Sequence, residues 1–167
     1  MSIPNPRPDE LVGQPSIRVV VCHTTYLRKF LHPLVSVADL TIRFVSGQCH
    51  SKDDLFSKWS RELGFPAYFG RNWDAFEEMI GDLDWLSVPR VLLVVEKSQE
   101  LLAGHPADFA CLMDILVKAI EDDKQPSRDL AEPSLTVILQ CDCSAAEDFA
   151  TRMLTLGCRI PYLSLSA

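Results

Sequence analysis

Between Asn72 and Pro89 the chain carries five acidic residues, Asp74, Glu77, Glu78, Asp82 and Asp84, and no lysine or arginine. With Trp73 as origin and about 100° per residue, Phe76, Met79, Ile80 and Leu83 gather with Trp73 over an arc of roughly 120°. Asp74, Glu77, Glu78 and Asp82 fall on the complementary arc. A helix built this way has one face for a core and one face of carboxylates with no local counter-ion. Carboxylates on a rigid helix can take the place of phosphates in a cationic cleft, where arginine forks give bidentate geometry. The plain alternative is a solvated outer face, the rule for helices packed on a core. Just upstream, Tyr68 is of a type favoured at binding hot spots, Gly70 can take an unusual backbone angle, and Asn72 is a good helix N-cap.

A second set of residues could hold a metal. Cys22-His23, Cys49-His50 and Cys141-Asp142-Cys143 each follow a run that reads as a strand. In a parallel sheet such ends share one edge, the usual ligand location, and zinc prefers thiolate and imidazole. No C-x-x-C pair occurs and the intervals are irregular. Cysteine is also a common small buried hydrophobe, so no metal or other cofactor is assigned. His32 and His105 have no partner residues nearby in sequence. No G-x-S-x-G, Walker loop or dinucleotide glycine fingerprint is present. Nothing identifies a nucleophile, and a protein that is not an enzyme is expected.

The elements that must position these groups follow from apolar spacing. Ile17–Cys22 is a β-branched run and reads as a strand. Thr24–Val37 has helical spacing interrupted by Pro33. Leu40–Val45 is a second strand, Ser51–Leu63 a helix closed by Gly64, and Asn72 to about Leu83 the acidic helix. Arg90–Val95 is a strand and Ala107–Glu121 a strongly periodic helix. Glu121–Ser134 reads as a polar loop, Leu135–Leu139 as a strand, Ala145–Leu156 as a helix, and Arg159–Leu165 as a last strand. Alternating strands and helices predict an α/β layered fold with a mainly parallel sheet.

Composition narrows the function further. The 167 residues, with 47% hydrophobic and 23% charged, are ample for one domain with a core. A net charge of −7 argues against general nucleic-acid binding and suits a basic protein partner. No apolar run approaches the roughly 20 residues of a membrane span. Met1–Glu10 has no apolar signal region, so the cytoplasm is the expected location and the six cysteines are read as reduced.

The stretch Tyr68-Phe69-Gly70-Arg71-Asn72-Trp73-Asp74-Ala75 resembles the Y-[YF]-G-x-N-x-D-A signature of the barstar family, intracellular inhibitors of the bacterial ribonuclease barnase. The strands and helices around it agree in order over roughly residues 40–140. The resemblance implies a small parallel sheet of three core strands flanked by helices. It also implies a function: plugging a basic nuclease active site with an acidic helix and the loop before it, without cofactor. Tyr68 and Gly70 fall on the inhibitory loop, Asn72 on the helix start, and Asp74 on one of the family's two helix aspartates. The other, dominant aspartate falls at Glu78, which keeps the charge and adds a methylene. Glu77 stands where barstar has a tryptophan, and Lys118 falls near its acidic residue on the later helix. These departures weigh against barnase itself as target.

The implied organisation is a flexible proline-rich arm at 1–16, a βα extension at 17–39, a barstar-like domain at 40–140 and an αβ extension at 141–167 packed on it. The expected protein is a bacterial, cytoplasmic immunity protein of a toxin–antitoxin pair, monomeric, binding a basic ribonuclease through Tyr68, Gly70, Asn72, Asp74, Glu77, Glu78 and Asp82. The alternatives are a structural or interaction subunit of this fold that has lost inhibition, and a Cys/His metal-binding protein.

Overall fold

The structure is a computed structural model that describes residues 6–124 and 134–165. The central part of the expected 121–134 loop and residues 1–5 of the arm lie outside the described residues. In chain order the elements are β1 (Ser16–Val21), α1 (Thr24–Leu31), β2 (Leu40–Ser46), α2 (Lys52–Leu63), α3 (Trp73–Asp82), β3 (Arg90–Glu96), α4 (Pro106–Asp123), β4 (Ser134–Cys141), α5 (Ala146–Thr155) and β5 (Tyr162–Ser164). Pro33 acts as its chemistry requires: α1 stops at Leu31 and the chain continues as a 3-10 turn over His32–Ser36.

The strands form one sheet in the order β2-β3-β4-β1-β5, with every neighbouring pair parallel. The three strands expected at the centre of the fold lie side by side. Both added strands join on the β4 side, so β1 is an interior strand. It pairs with β4 from Ser16↔Thr136 to Val21↔Cys141, and Val19 and Val20 are fully buried.

Side chains alternate between two cores as the pleat dictates. Val91, Leu93 and Val95 point to the side covered by α2, α3, α4 and α5, whereas Leu92 and Val94 point to the side covered by α1. Burial on both sides explains why β3 and β4 are continuous apolar runs. The second side is completed by the N-terminal segment, which from Pro8 onward is docked rather than an extended arm. Pro8–Leu11 forms a 3-10 turn, and Leu11 and Val12 are buried beside Leu27, Leu31 and Leu34. Sinking one leucine contributes about 1.5–3 kcal/mol, enough to outweigh the extended habit of the prolines.

The turn after β2 is closed by a backbone approach only glycine permits. A Cβ on Gly47 would lie 2.5 Å from the carbonyl oxygens of Glu96 and Lys97. There Trp59 Nε1 donates to the Ser46 carbonyl at 3.0 Å and the Ser46 N–H donates to Glu62 at 2.9 Å. These two bonds seat α2 on the sheet and set the platform for the segment that follows.

Candidate functional site

α2 ends where its sequence says, at Gly64 in the left-handed region with φ 71°. The following loop is held by aromatic rings. Phe65 and Phe69 meet edge-on at 4.9 Å between centroids, Phe56 and Trp73 at 5.0 Å, and Phe65 and Trp85 at 5.4 Å. Such pairs each add about 0.5–1.5 kcal/mol beyond burial, so the loop between Phe65 and Trp73 is pinned at both ends. Tyr68, between the pins, is 75% exposed. Arg71 adopts φ 52°, a left-handed angle that costs a non-glycine residue on the order of 1 kcal/mol. Its guanidinium is drawn back to α2, donating to Ser57 Oγ at 2.6 Å. The loop's one cation is thus tied to the previous helix.

Asn72 caps α3: its Oδ1 accepts from the Ala75 N–H at 2.8 Å. Gly70 packs closely behind that cap, where a Cβ would come 3.3 Å from the Asn72 amide nitrogen. The apolar arc is buried as its spacing predicts, with Phe76, Met79, Ile80 and Leu83 all at 2% exposure or less. Asp74, Glu78 and Asp82 are exposed on the other arc, and Glu77 is half-buried.

α4 packs alongside α3 and supplies the opposite wall of two adjoining hollows. One, of about 340 Å³, lies among Asp74, Glu77, Glu78, Asp82, Lys118 and Asp122. The other, of about 590 Å³, lies among Trp73, Asp74, Glu77, Cys111, Asp114 and Lys118. Lys118 is the one lysine or arginine lining either hollow. The field is negative: burial first, and then the carboxylates of Asp114, Asp108, Glu77 and Asp74, push the Cys111 thiol above its ordinary value. Burial, helped by Asp84 and Glu78, likewise raises Asp82.

One expectation is corrected here. The acidic face is not free of counter-charge, because Lys118 Nζ makes an ion pair with Glu77 Oε1, and the carboxylate in turn raises the lysine's pKa. The cause is a partner 41 residues away on a neighbouring helix. Of the predicted residues, Asp74, Glu77, Glu78 and Asp82 are gathered at the hollows. Asn72 holds the helix start, and Tyr68 and Gly70 stand on the loop outside the linings. Sequence reasoning missed Asp114 and Asp122. Their signal was present, since Asp114, Lys118 and Asp122 are spaced by four and share one face of α4.

The cysteine–histidine set comes together only in part: β1 lies beside β4, so Cys22 feels the Cys143 thiol and the Asp142 carboxylate, but the rest stands apart. β2 and β4 are separated by β3, so Cys49-His50 follows a strand that is not a neighbour of β4. His23 instead caps α1, its Nδ1 accepting from the Thr25 N–H at 3.3 Å. Burial raises the thiols of Cys22 and Cys141 to about 11 and that of Cys49 to about 12, as fits neutral packed side chains. Among the described residues no three His, Cys, Asp or Glu side chains are placed to hold a metal ion.

The model of the barstar (barnase inhibitor) family matches residues 40–132. No curated protein sequence matches the chain. Among solved structures, the ORC2 protein of Aeropyrum pernix in its ADP form aligns with a TM-score of 0.58 at 16% identity, over 91% of this chain and 42% of that one. The ADPNP–ADP complexes of the same protein give 0.61 at 17% identity, over 92% of this chain and 42% of that one. The chain therefore spans less than half the length of those proteins, and the likeness is one of fold.

Proposed function

The chain belongs to the barstar family, and from that premise we propose that it is a stoichiometric, non-covalent inhibitor of a basic ribonuclease. α3 and the loop before it enter the nuclease active site. Asp74, Glu78 and Asp82 accept hydrogen bonds from the arginines and lysines that would otherwise hold RNA phosphates. Tyr68 supplies an exposed aromatic contact beside them. Barnase and barstar are themselves the studied example of charge-steered association of this kind. The role proposed is immunity, in the cytoplasm of a bacterium that makes or meets the nuclease as a toxin. The working unit is one inhibitor chain per nuclease.

The observation that carries this reading is the pair of hollows between α3 and α4, where Asp74, Glu77, Glu78, Asp82, Asp114 and Asp122 face a single lysine. The aromatic pins and the Asn72 cap make this wall rigid before any partner arrives, which lowers the ordering cost of binding. The test is affinity capture from source lysate with wild-type and Asp74→Ala/Glu78→Ala baits, eluates being assayed for RNA cleavage after acid release. A small basic nuclease retained by the wild type alone is the expected result. A partner retained equally by both baits sinks the reading.

The likeness to the ORC2 protein raises a second reading, nucleotide binding at the strand ends. The turn after β1 reads Cys22-His23-Thr24-Thr25, without glycine, and the Gln140 side chain fills the space between the ends of β1, β4 and β3. The helix face carries the better case.

A further inference from the structure

The Lys118–Glu77 pair does more than neutralise one carboxylate. It spans from α4 to α3, and its two residues line both hollows. On one side of the bridge lies Asp114; on the other lie Glu78, Asp82 and Asp122; Asp74 borders both. The acidic surface is thus two anionic sites with a cation between them. The Lys118 side chain is 63% exposed and that of Glu77 39%, so the lysine is the more accessible member of the pair.

We propose that Lys118 is the specificity determinant of this face, the bridge dividing it so that it accepts a partner with cations on both sides and a hydrogen-bond acceptor or carboxylate at the centre. This rests on the reading of the α3–α4 wall as the nuclease-facing surface. A guanidinium brought to the centre would meet Lys118 and find Glu77 already engaged. Like charges juxtaposed across an interface are among the strongest means of rejecting a wrong partner. An acceptor at the centre would bond the ammonium and leave the pair intact. The arginines on either side would then reach Asp114 and the Glu78, Asp82 and Asp122 group. On this account inhibitors with this acidic helix divide their targets by what stands opposite one residue of α4.

Barnase serves as the probe, since it is a basic ribonuclease of the kind the family inhibits. Its association and dissociation rates are measured with wild type, Lys118→Met, Glu77→Gln, the double variant, and Lys124→Met. The last removes a charge from the far end of the same helix, outside both hollows. Lys118→Met should slow dissociation about tenfold or more by freeing Glu77 for a close pair, beyond the salt-dependent gain in association that removing a cation from an acidic face gives. Lys124→Met should alter only association, and only at low salt. In the Glu77→Gln background, removing Lys118 should no longer slow dissociation. Unchanged dissociation for Lys118→Met, including no measurable complex, overturns the proposal. So does an equal gain in the Glu77→Gln background, which would make the effect one of net charge. Asp74→Asn and Glu78→Gln separate this from the parent reading. If they leave barnase dissociation untouched, the nuclease-facing surface itself is wrong; if they speed it while Lys118→Met changes nothing, only the role of Lys118 falls.

Discussion

The carboxyl-terminal edge of the sheet and the α3–α4 wall both gather polar groups, and they treat them in opposite ways. At the edge, Gln140 is fully buried and all of its capacity is used. Its Oε1 accepts from Thr24 Oγ1 at 3.1 Å and from the Lys97 N–H at 2.7 Å, and its Nε2 donates to the Cys22 carbonyl at 2.7 Å and to Asp142 at 3.1 Å. On the wall, six carboxylates share one lysine. A polar group taken out of water must find partners within the chain, whereas one left at the surface can hold its charge in reserve. The crevice where parallel sheets commonly bind ligands is consumed by the fold here. On the function proposed above, recognition lies in the helical layer instead.

The sharpest way to break this contrast is at Gln140. Gln140→Leu orphans the Lys97 N–H and the Cys22 carbonyl, and Lys97 sits at a left-handed φ of 54° that the lost bond helps to hold. A loss of about 3 kcal/mol is expected from two buried groups left unpaired. Urea unfolding reads it directly, and nuclease inhibition per folded molecule should not change. Asp74→Ala with Glu78→Ala should give the mirror image. Two charge-assisted pairs lost from the interface weaken binding by about a hundredfold, while unfolding stability moves by less than about 1 kcal/mol. If the edge variant damaged binding and the wall variant damaged folding, the division of labour would be reversed. Asn72→Ala lies between the two. It removes a helix cap and loosens the loop it anchors, so stability should fall by about 1 kcal/mol with a several-fold loss of affinity, checked by unfolding and inhibition on the same sample.

The same contrast explains what could be read without coordinates. The α3 wheel was legible because its apolar and acidic arcs depend only on a period of 3.6 residues. Ser51, Gly64 and Asn72 were legible as helix punctuation because capping is local chemistry. What escaped was whatever depends on strand order. Gln140 looks like one polar residue ending an apolar run until β1 is found beside β4 and the β3 turn beyond it. Lys118 looks like an ordinary outward lysine until α4 is laid against α3. Leu11 was hidden by prolines whose local habit is overruled by a core that only the assembled sheet creates.

Asp82 offers the smallest and most discriminating test, because stability and the proposed binding role would pull it in opposite directions. Burial, then Asp84 and Glu78, raise its pKa above the ordinary 3.8. It also sits in the last turn of α3, at the negative end of the helix dipole. A carboxyl group with a raised native pKa binds protons more tightly folded than unfolded. Its ionised form therefore costs stability above the native pKa, and that cost is relieved as pH falls through the native pKa toward 3.8. Asp82→Asn should accordingly stabilise the fold at pH 7 by no more than about 0.5 kcal/mol, since the group is exposed and solvent screens it. The advantage should shrink as pH falls through the native pKa and vanish only well below 3.8, where Asp82 is protonated in the folded and unfolded chain alike. Nuclease affinity at pH 7 should fall about threefold in the same variant. A variant less stable at pH 7 would show that Asp82 serves the fold, and an advantage that persisted unchanged in acid would show that the gain does not come from the carboxylate's charge. A more stable variant that binds less well would show a carboxylate kept on the wall at the expense of stability, for the partner it meets.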